Sequence, residues 1–214
     1  MGLYLDDVVI KIILVGECAV GKTSFITRYC DKSIMEDFHS PTIGVDLKIS
    51  RHKIEGKNLK CHIWDTAGQD NFETIVTTYF KGVGGVICMF DVTRPTSLER
   101  AKEWIKKVKL QNNAEVLPVM LLANKIDKEH TMKTVIDAKN IATLNEWNYK
   151  EISVKNNMYV DDAYEGFIHY IYESVIKKNI PSPGIRTVVD NDKVRLISNE
   201  KSDGSGMFKC CRVS

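Results

Sequence analysis

Much of what usually announces a function is missing from this sequence. No stretch free of Asp, Glu, Lys and Arg exceeds nine residues, the two longest being 82–90 and 116–124, far below the ~20 that a membrane-spanning helix needs. Nothing here is expected to cross a bilayer. Charge of one sign is not in surplus: 30 Lys and Arg against 28 Asp and Glu leave +2, too little for bulk electrostatics to draw in nucleic acid. The six cysteines include no Cys-x-x-Cys, and no His stands at metal-ligand spacing, which argues against structural zinc. Cys61 and Cys88 read as small buried hydrophobes in apolar, strand-like surroundings. The start, MGLYLDD, has neither an apolar signal region nor a basic leader, and Gly2 is followed by Asp6 where a myristoylation signal wants Ser or Thr. The expectation is a chain that folds and stays in the cytosol. Internal repeats are absent too.

What is present suits one globular core. Of 214 residues 43% are apolar and 27% charged, which excludes disordered, collagenous and disulfide-scaffold classes. Val8 to Val15 (VVIKIILV), Gly85 to Phe90 and Leu117 to Ala123 are short apolar runs bounded by turn residues, the pattern of strands covered on both faces. Val45, Leu47 and Ile49, then Leu59, Cys61 and Ile63, alternate with polar residues across Glu55-Gly56-Lys57-Asn58, which predicts a hairpin at a sheet edge. Helical spacing recurs at Leu98, Ala101, Ile105 and Val108, introduced by Thr96 and Glu99 as a capping box, and at Val160, Ala163, Phe167, Ile171 and Val175. Strands alternating with such helices imply right-handed βαβ crossovers: an α/β fold with a mostly parallel sheet and helices on both faces. Ligands bind such sheets beyond the carboxyl ends of the strands, so functional motifs are expected directly after strands. After Lys178 the character turns to Pro181, Pro183, Gly184 and an aperiodic polar stretch. Residues 1–179 are therefore expected to form the domain, and 180–214 a tail outside it.

Directly after the first apolar run stands GECAVGKTS, Gly16-Glu17-Cys18-Ala19-Val20-Gly21-Lys22-Thr23-Ser24, matching GxxxxGK(S/T). By chance the pattern arises in roughly one chain in a hundred of this length, and a strand before it with a helix after it cuts that further. Its glycines let consecutive N–H groups turn to a phosphate, and the helix adds its positive end. Lys22 then reaches β- and γ-phosphates and the Thr23 hydroxyl serves Mg²⁺.

Such a loop does not choose the base. NKID, Asn124 to Asp127, follows the apolar run ending at Ala123. A carboxylate at Asp127 accepts from N1–H and the exocyclic amine of guanine, whereas adenine has an acceptor at N1 and no 2-amino group. Lys125 can lay its aliphatic stem over the purine while Asn124 braces the loop. A third element is DTAGQ, Asp65 to Gln69, after Trp64. Asp65 supplies a carboxylate toward Mg²⁺, Gly68 a backbone N–H toward the γ-phosphate, and Gln69 is placed to orient attacking water. Thr42, twenty residues after Lys22, completes the Mg²⁺ shell when a γ-phosphate is present.

These elements together, with YFKGVGGVICMFDVT behind them, resemble the Ras superfamily of small GTPases, and TIGVDLKI followed by WDTAGQ looks like its Rab branch. The resemblance runs from about Val8 to Lys178. It implies a six-stranded sheet with one antiparallel edge strand and five helices, and switch segments around Ile34 to Gly44 and Ala67 to Tyr79. Ser153, Val154 and Lys155 match the loop backing the guanine, Ile34 the position beside the guanine edge, and Leu47, Trp64 and Tyr79 a hydrophobic patch that meets effectors. The matching sequence departs at Cys18 and Ala19, where the family has small residues; at Asp70-Asn71, where Glu-Arg is usual; and at Leu47, where Phe is usual.

No arginine lies between Asp31 and Thr42, so slow intrinsic hydrolysis and a GTPase-activating partner are implied. The chain ends in Cys211-Arg212-Val213-Ser214, a CaaX box, with Cys210 beside it. In the Rab resemblance such pairs are geranylgeranylated, and two lipids anchor where one binds reversibly. The ~30 residues before Cys210 span on the order of 30 Å as a coil. The expectation is a monomeric cytoplasmic switch binding GTP/GDP and Mg²⁺, cycling to a membrane, with effectors, an exchange factor, an activating protein and GDP-dissociation inhibitor or prenylation machinery as partners and no nucleic acid. The alternative is a non-hydrolysing GTP-bound scaffold of the same fold.

Overall fold

The computed structural model describes residues 7–32, 42, 44–69 and 73–188. The expectations placed on Ile34, Asp70, Asn71, Cys210 and Cys211 lie outside the described residues. Along the chain run β1 (Val8–Val15), α1 (Lys22–Asp31), β2 (Val45–Ile54), β3 (Lys57–Thr66), α2 (Glu73–Thr77) with a 3-10 turn (Thr78–Phe80), β4 (Gly85–Asp91) and α3 (Pro95–Leu110). There follow β5 (Val119–Asn124), α4 (Met132–Leu144), β6 (Asn148–Ile152), α5 (Val160–Ile171) prolonged by a π turn (Tyr172–Ile176), and β7 (Ile185–Thr187).

The sheet order is β2-β3-β1-β4-β5-β6, parallel except where β2 pairs antiparallel with β3 and β7 with β1. The expected edge hairpin is there, closed by Glu55 and Gly56 at φ +47 and +81, the doubly positive pair of a type I′ turn that matches strand twist. The apolar runs are buried on both faces because alternate residues serve two cores. Ile10, Ile12 and Leu14 of β1 with Ile87 and Met89 pack on α1 and α5 through Phe25, Tyr164 and Phe167. Ile13 and Val15 with Val86, Cys88 and Phe90 face α3 and α4 through Leu98, Trp104 and Val135. No helix among the described residues is long and apolar enough to cross a membrane.

Three sequence-based expectations are corrected. The sheet has seven strands, not six: β1 pairs β4 along Ile12–Val15, and β7 fills the same side along Val8–Ile10. The boundary after residue 179 therefore falls inside the packed chain. Residues 181–188 turn back onto β1, with the Lys11 N–H donating to the Gly184 carbonyl at 2.8 Å. A Cβ at Gly184 would sit 1.9 Å from the Gly84 nitrogen, so only glycine permits this backbone approach. Finally, α3 has no capping box. It opens at Pro95 with Arg94 as N-cap and no side-chain cap, and Glu99 pairs with Lys102 instead. Proline at the first helical position has no N–H to cap and its φ is preset.

Candidate functional site

Five loops leave the carboxyl ends of β1, β3, β4, β5 and β6, and they meet where the sheet order reverses about β1, between its neighbours β3 and β4. The motifs thus lie directly after strands, as the fold class requires. The loop after β1 is shaped by two glycines at positive φ, Gly16 at +142 and Gly21 at +104. Each is also crowded: a Cβ on Gly16 would meet the Met89 carbonyl at 2.3 Å, and one on Gly21 the Asn124 side-chain nitrogen at 2.4 Å. Ala19 is left-handed too, φ +60, at a cost of about 1–2 kcal/mol for a non-glycine residue.

Lys22 opens α1 and is 6% exposed. Its Nζ donates to the carbonyls of Gly16 at 2.9 Å and Glu17 at 3.0 Å, inside the loop it follows. Burial lowers its pKa, opposed mainly by the Asp65 carboxylate. A group that is a cation at the floor of an N–H-lined loop suits a phosphate partner. Gly68 comes onto the same loop backbone to backbone: a Cβ there would fall 2.4 Å from Lys22 Nζ and 2.6 Å from the Cys18 nitrogen. Gln69 follows, half-buried.

Thr23, Thr42 and Asp65 converge. The Thr23 hydroxyl donates to Asp65 Oδ2 at 2.6 Å and lies 2.6 Å from the Thr42 hydroxyl. Asp65 is 1% exposed, and its other oxygen, Oδ1, is buried with no hydrogen-bond partner. Burial raises its pKa against the Thr23 bond and the Lys22 charge. Three hard oxygen donors with an orphaned carboxylate lone pair fit Mg²⁺, which prefers such ligands and keeps waters and substrate phosphates in its remaining positions.

The loops after β5 and β6 both meet the phosphate loop through Asn124. Asn124, 2% exposed, donates from Nδ2 to the Val20 carbonyl at 2.8 Å and accepts from the Val154 N–H at 3.1 Å. Lys125, itself at φ +70, donates to the Ala19 carbonyl at 2.8 Å and pairs with Asp91 Oδ2 at 2.6 Å. Asp127 accepts from the Ser153 hydroxyl, while Lys155 is exposed. Ser24 lies half-buried in the first turn of α1.

Sequence reasoning missed three residues here. Arg28 of α1 holds the 153–155 loop by donating to the Val154 carbonyl at 3.2 Å and the Lys155 carbonyl at 2.9 Å. Asp91, at the end of β4 with its side chain 3% exposed, takes Lys125. Burial raises the Asp91 pKa, but the Lys125 and Thr93 hydrogen bonds outweigh it and hold the carboxyl below its usual range. Arg94 touches the phosphate loop itself. None of the three belongs to a contiguous motif, so only their strand-end or helix-face placement signals them.

Leu47, Trp64 and Tyr79 are neighbours, the two rings partly buried against the core. Leu47 stands opposite Trp64 in the β2–β3 ladder, and the Trp64 and Tyr79 rings are 5.1 Å apart. Leu47 is 40% exposed, and Ile49, two residues on along β2, is exposed as well.

Comparison with known proteins accords with this geometry. The Ras family model matches residues 11–173. The chain is 39% identical over 210 residues to a Ras-related protein Rab-1 of Theileria parva, covering 97% of this chain and 92% of that protein. It is 38% identical over 205 residues to Ras-related protein Rab-13 of Mesocricetus auratus (95% and 96%), and 30% over 207 residues to Ras-related protein RABA5c of Arabidopsis thaliana (96% and 95%).

Proposed function

The chain belongs to the Ras family and, within it, to the Rab small GTPases, and from that premise we propose that it is a slow GTPase switch acting in membrane trafficking. The observation that carries the guanine-nucleotide reading is the bridge made by Asn124, which holds the phosphate loop and the base loop at fixed separation with Asp127 alongside. A nucleotide spanning both loops meets N–H groups and the Lys22 ammonium at one end and the Asp127 carboxylate at the other. Asp127 accepts two donors from guanine, and adenine lacks both.

Thr23, Thr42 and Asp65 are the residues that would hold Mg²⁺, which when bound neutralises charge on the β- and γ-phosphates. Lys22 offsets the same charge from the loop side. Gly68 brings its N–H against the phosphate loop, and Gln69, next to it, orients water for in-line attack on the γ-phosphorus. Thr42 lies at the end of the first switch and Gly68 in the second, so γ-phosphate contacts order both segments and hydrolysis releases them. Effectors then meet the Leu47, Trp64 and Tyr79 surface when the segments are ordered. An activating protein, an exchange factor and GDP-dissociation inhibitor or prenylation machinery complete the cycle, and lipid on Cys210 and Cys211 places the otherwise cytoplasmic protein on a membrane.

The test is to denature purified protein and identify the released nucleotide. Near-stoichiometric GDP supports guanine binding with turnover. Retained GTP favours a non-hydrolysing scaffold, and an adenine nucleotide overturns the reading. Gln69→Leu is expected to slow single-turnover hydrolysis at unchanged GTP affinity; equal turnover removes the role given to Gln69.

A further inference from the structure

Two consecutive carbonyls of the phosphate loop are held by two cations that share one buried carboxylate. Lys125 reaches the Ala19 carbonyl and Asp91 Oδ2. Arg94, on the loop between β4 and α3, mirrors it: Nη2 donates to the Cys18 carbonyl at 2.9 Å, and Nε lies 3.4 Å from the same Asp91 Oδ2. Asp91 is fixed in turn, its Oδ1 accepting from the Thr93 N–H at 3.0 Å and hydroxyl at 2.7 Å.

Across a trans peptide, C=O and the following N–H point in opposite directions. The Cys18 carbonyl held by Arg94 therefore turns the Ala19 N–H away from that cation, and the Ala19 carbonyl held by Lys125 turns the Val20 N–H away likewise. Consecutive N–H groups aimed at one point make an anion-binding nest. In this loop the arrangement is not free, since Ala19 sits at φ +60 without being glycine. Arg94 and Lys125 are the side chains that hold it.

Arg94 has a second task. Its Nη1 lies 3.7 Å from Glu17 Oε1, while Glu17 Oε2 is buried with no hydrogen-bond partner. A carboxylate in the loop that receives phosphates repels them unless a cation stands beside it. Arg94 is that cation. Its guanidinium fork can serve Cys18, Asp91 and Glu17 at once, which the single ammonium of lysine cannot. The side chain is 39% exposed, so it contributes little to the core.

We propose that Arg94 is a positioning residue for nucleotide retention: it sets the Cys18–Ala19 peptide and neutralises Glu17, while Asp91 couples it to the base loop through Lys125. The proposal rests on the guanine-nucleotide reading above and deepens it. Release of a fluorescent GDP analogue from the full chain in Mg²⁺ buffer reads it directly. Loss of one charge-assisted hydrogen bond corresponds to roughly tenfold to a hundredfold, so Arg94→Ala is expected to release GDP at least tenfold faster with a melting temperature within a few degrees of wild type. Arg94→Lys should recover only part of the loss. Adding Glu17→Gln to Arg94→Ala should recover a further part, because the uncovered charge is gone, a rescue that a purely structural role would not produce.

Wild-type release from Arg94→Ala overturns the clamp, and so does a double variant no better than the single. If Arg94→Ala instead melts far below wild type, Arg94→Lys decides alone: release equal to wild type overturns the clamp, and faster release at wild-type stability supports it. A wild-type protein that holds no guanine nucleotide fails the functional reading itself, an outcome distinct from all of these.

Discussion

Replacing Asn124 by alanine tests whether one side chain joins the phosphate and base loops. Its two ends satisfy two backbone groups: Nδ2 donates to the Val20 carbonyl at 2.8 Å and Oδ1 accepts from the Val154 N–H at 3.1 Å. At 2% exposure water cannot replace either partner. Each stranded buried group costs about 1–3 kcal/mol, so the pair costs about 2–6 kcal/mol. For a domain of this size 1 kcal/mol shifts the melting temperature by about 2–4 °C, which gives a loss on the order of 4–24 °C. Bound nucleotide adds stability by mass action and masks part of such a loss, so the melt is run on nucleotide-free protein. The same variant frees the loop at Gly21, whose Cβ position lies 2.4 Å from Asn124 Nδ2, and GDP release should quicken in parallel. Asn124→Asp should rescue neither property, because it turns an oxygen toward the Val20 carbonyl where a donor stood and buries a charge. A nucleotide-free melt within 2 °C of wild type, or normal stability with fast release, refutes the bridge as drawn.

Asp127→Asn should shift preference from guanine to xanthine nucleotides, since an amide donates where the carboxylate accepted; a competition assay that still ranks guanine first removes Asp127 from base selection. Gly184→Ala places a methyl 1.9 Å from the Gly84 nitrogen and should detach β7, lowering the melting temperature by about 4–12 °C for roughly 2–3 kcal/mol of lost pairing. Its GDP affinity should hold, because β7 meets β1 at Val8–Ile10, the end away from the phosphate loop, and a loss of binding would contradict that separation. His52 predicts a pH dependence. Burial lowers its pKa, opposed by Glu165, with His169 adding to the lowering, and its ring meets Ser50 at 2.9 Å and Glu165 at 3.0 Å. The unfolded chain takes up the proton first as pH falls, so stability is present above about pH 6.5 and is lost below it. The drop in melting temperature between about pH 7.5 and pH 5.5 should shrink in His52→Gln, and an unchanged slope assigns the pH dependence to other groups.

The parts of this molecule that were legible in the sequence are those whose physics is local. GECAVGKTS and NKID each follow an apolar run within a residue or two, so strand, turn and ligand-facing backbone are adjacent in sequence as in space. The doubly buried strands were legible because Ile12 and Ile13, neighbours on opposite faces, must both be apolar when helices cover both sides. Legibility ended where a partner arrives from far along the chain. Arg28 reaches Val154 and Arg94 reaches Cys18, and nothing in the immediate context of either arginine sets it apart from a solvated one. The capping box failed for a nearer reason, since Pro95 already supplies a helix start that needs no cap.

The tail boundary shows how composition misleads. Pro181, Pro183 and Gly184 carry every sign of a linker, and a strand of three residues, Ile185–Thr187, is too short for any period to show. What orders it is an approach of two backbones at Gly84 and Gly184 so close that a side chain on either would collide. The glycine that reads as freedom in one dimension is, in three, the condition for contact. The free edge that β4 leaves on β1 below Ile12 is the reason a strand is there at all: an uncovered row of N–H and C=O groups is costly on a strand otherwise paired on both sides. β7 thus ends beside the amino end of β1, where the Val188 N–H donates to the Asp7 carbonyl at 2.9 Å, at the end of the sheet opposite the nucleotide loops.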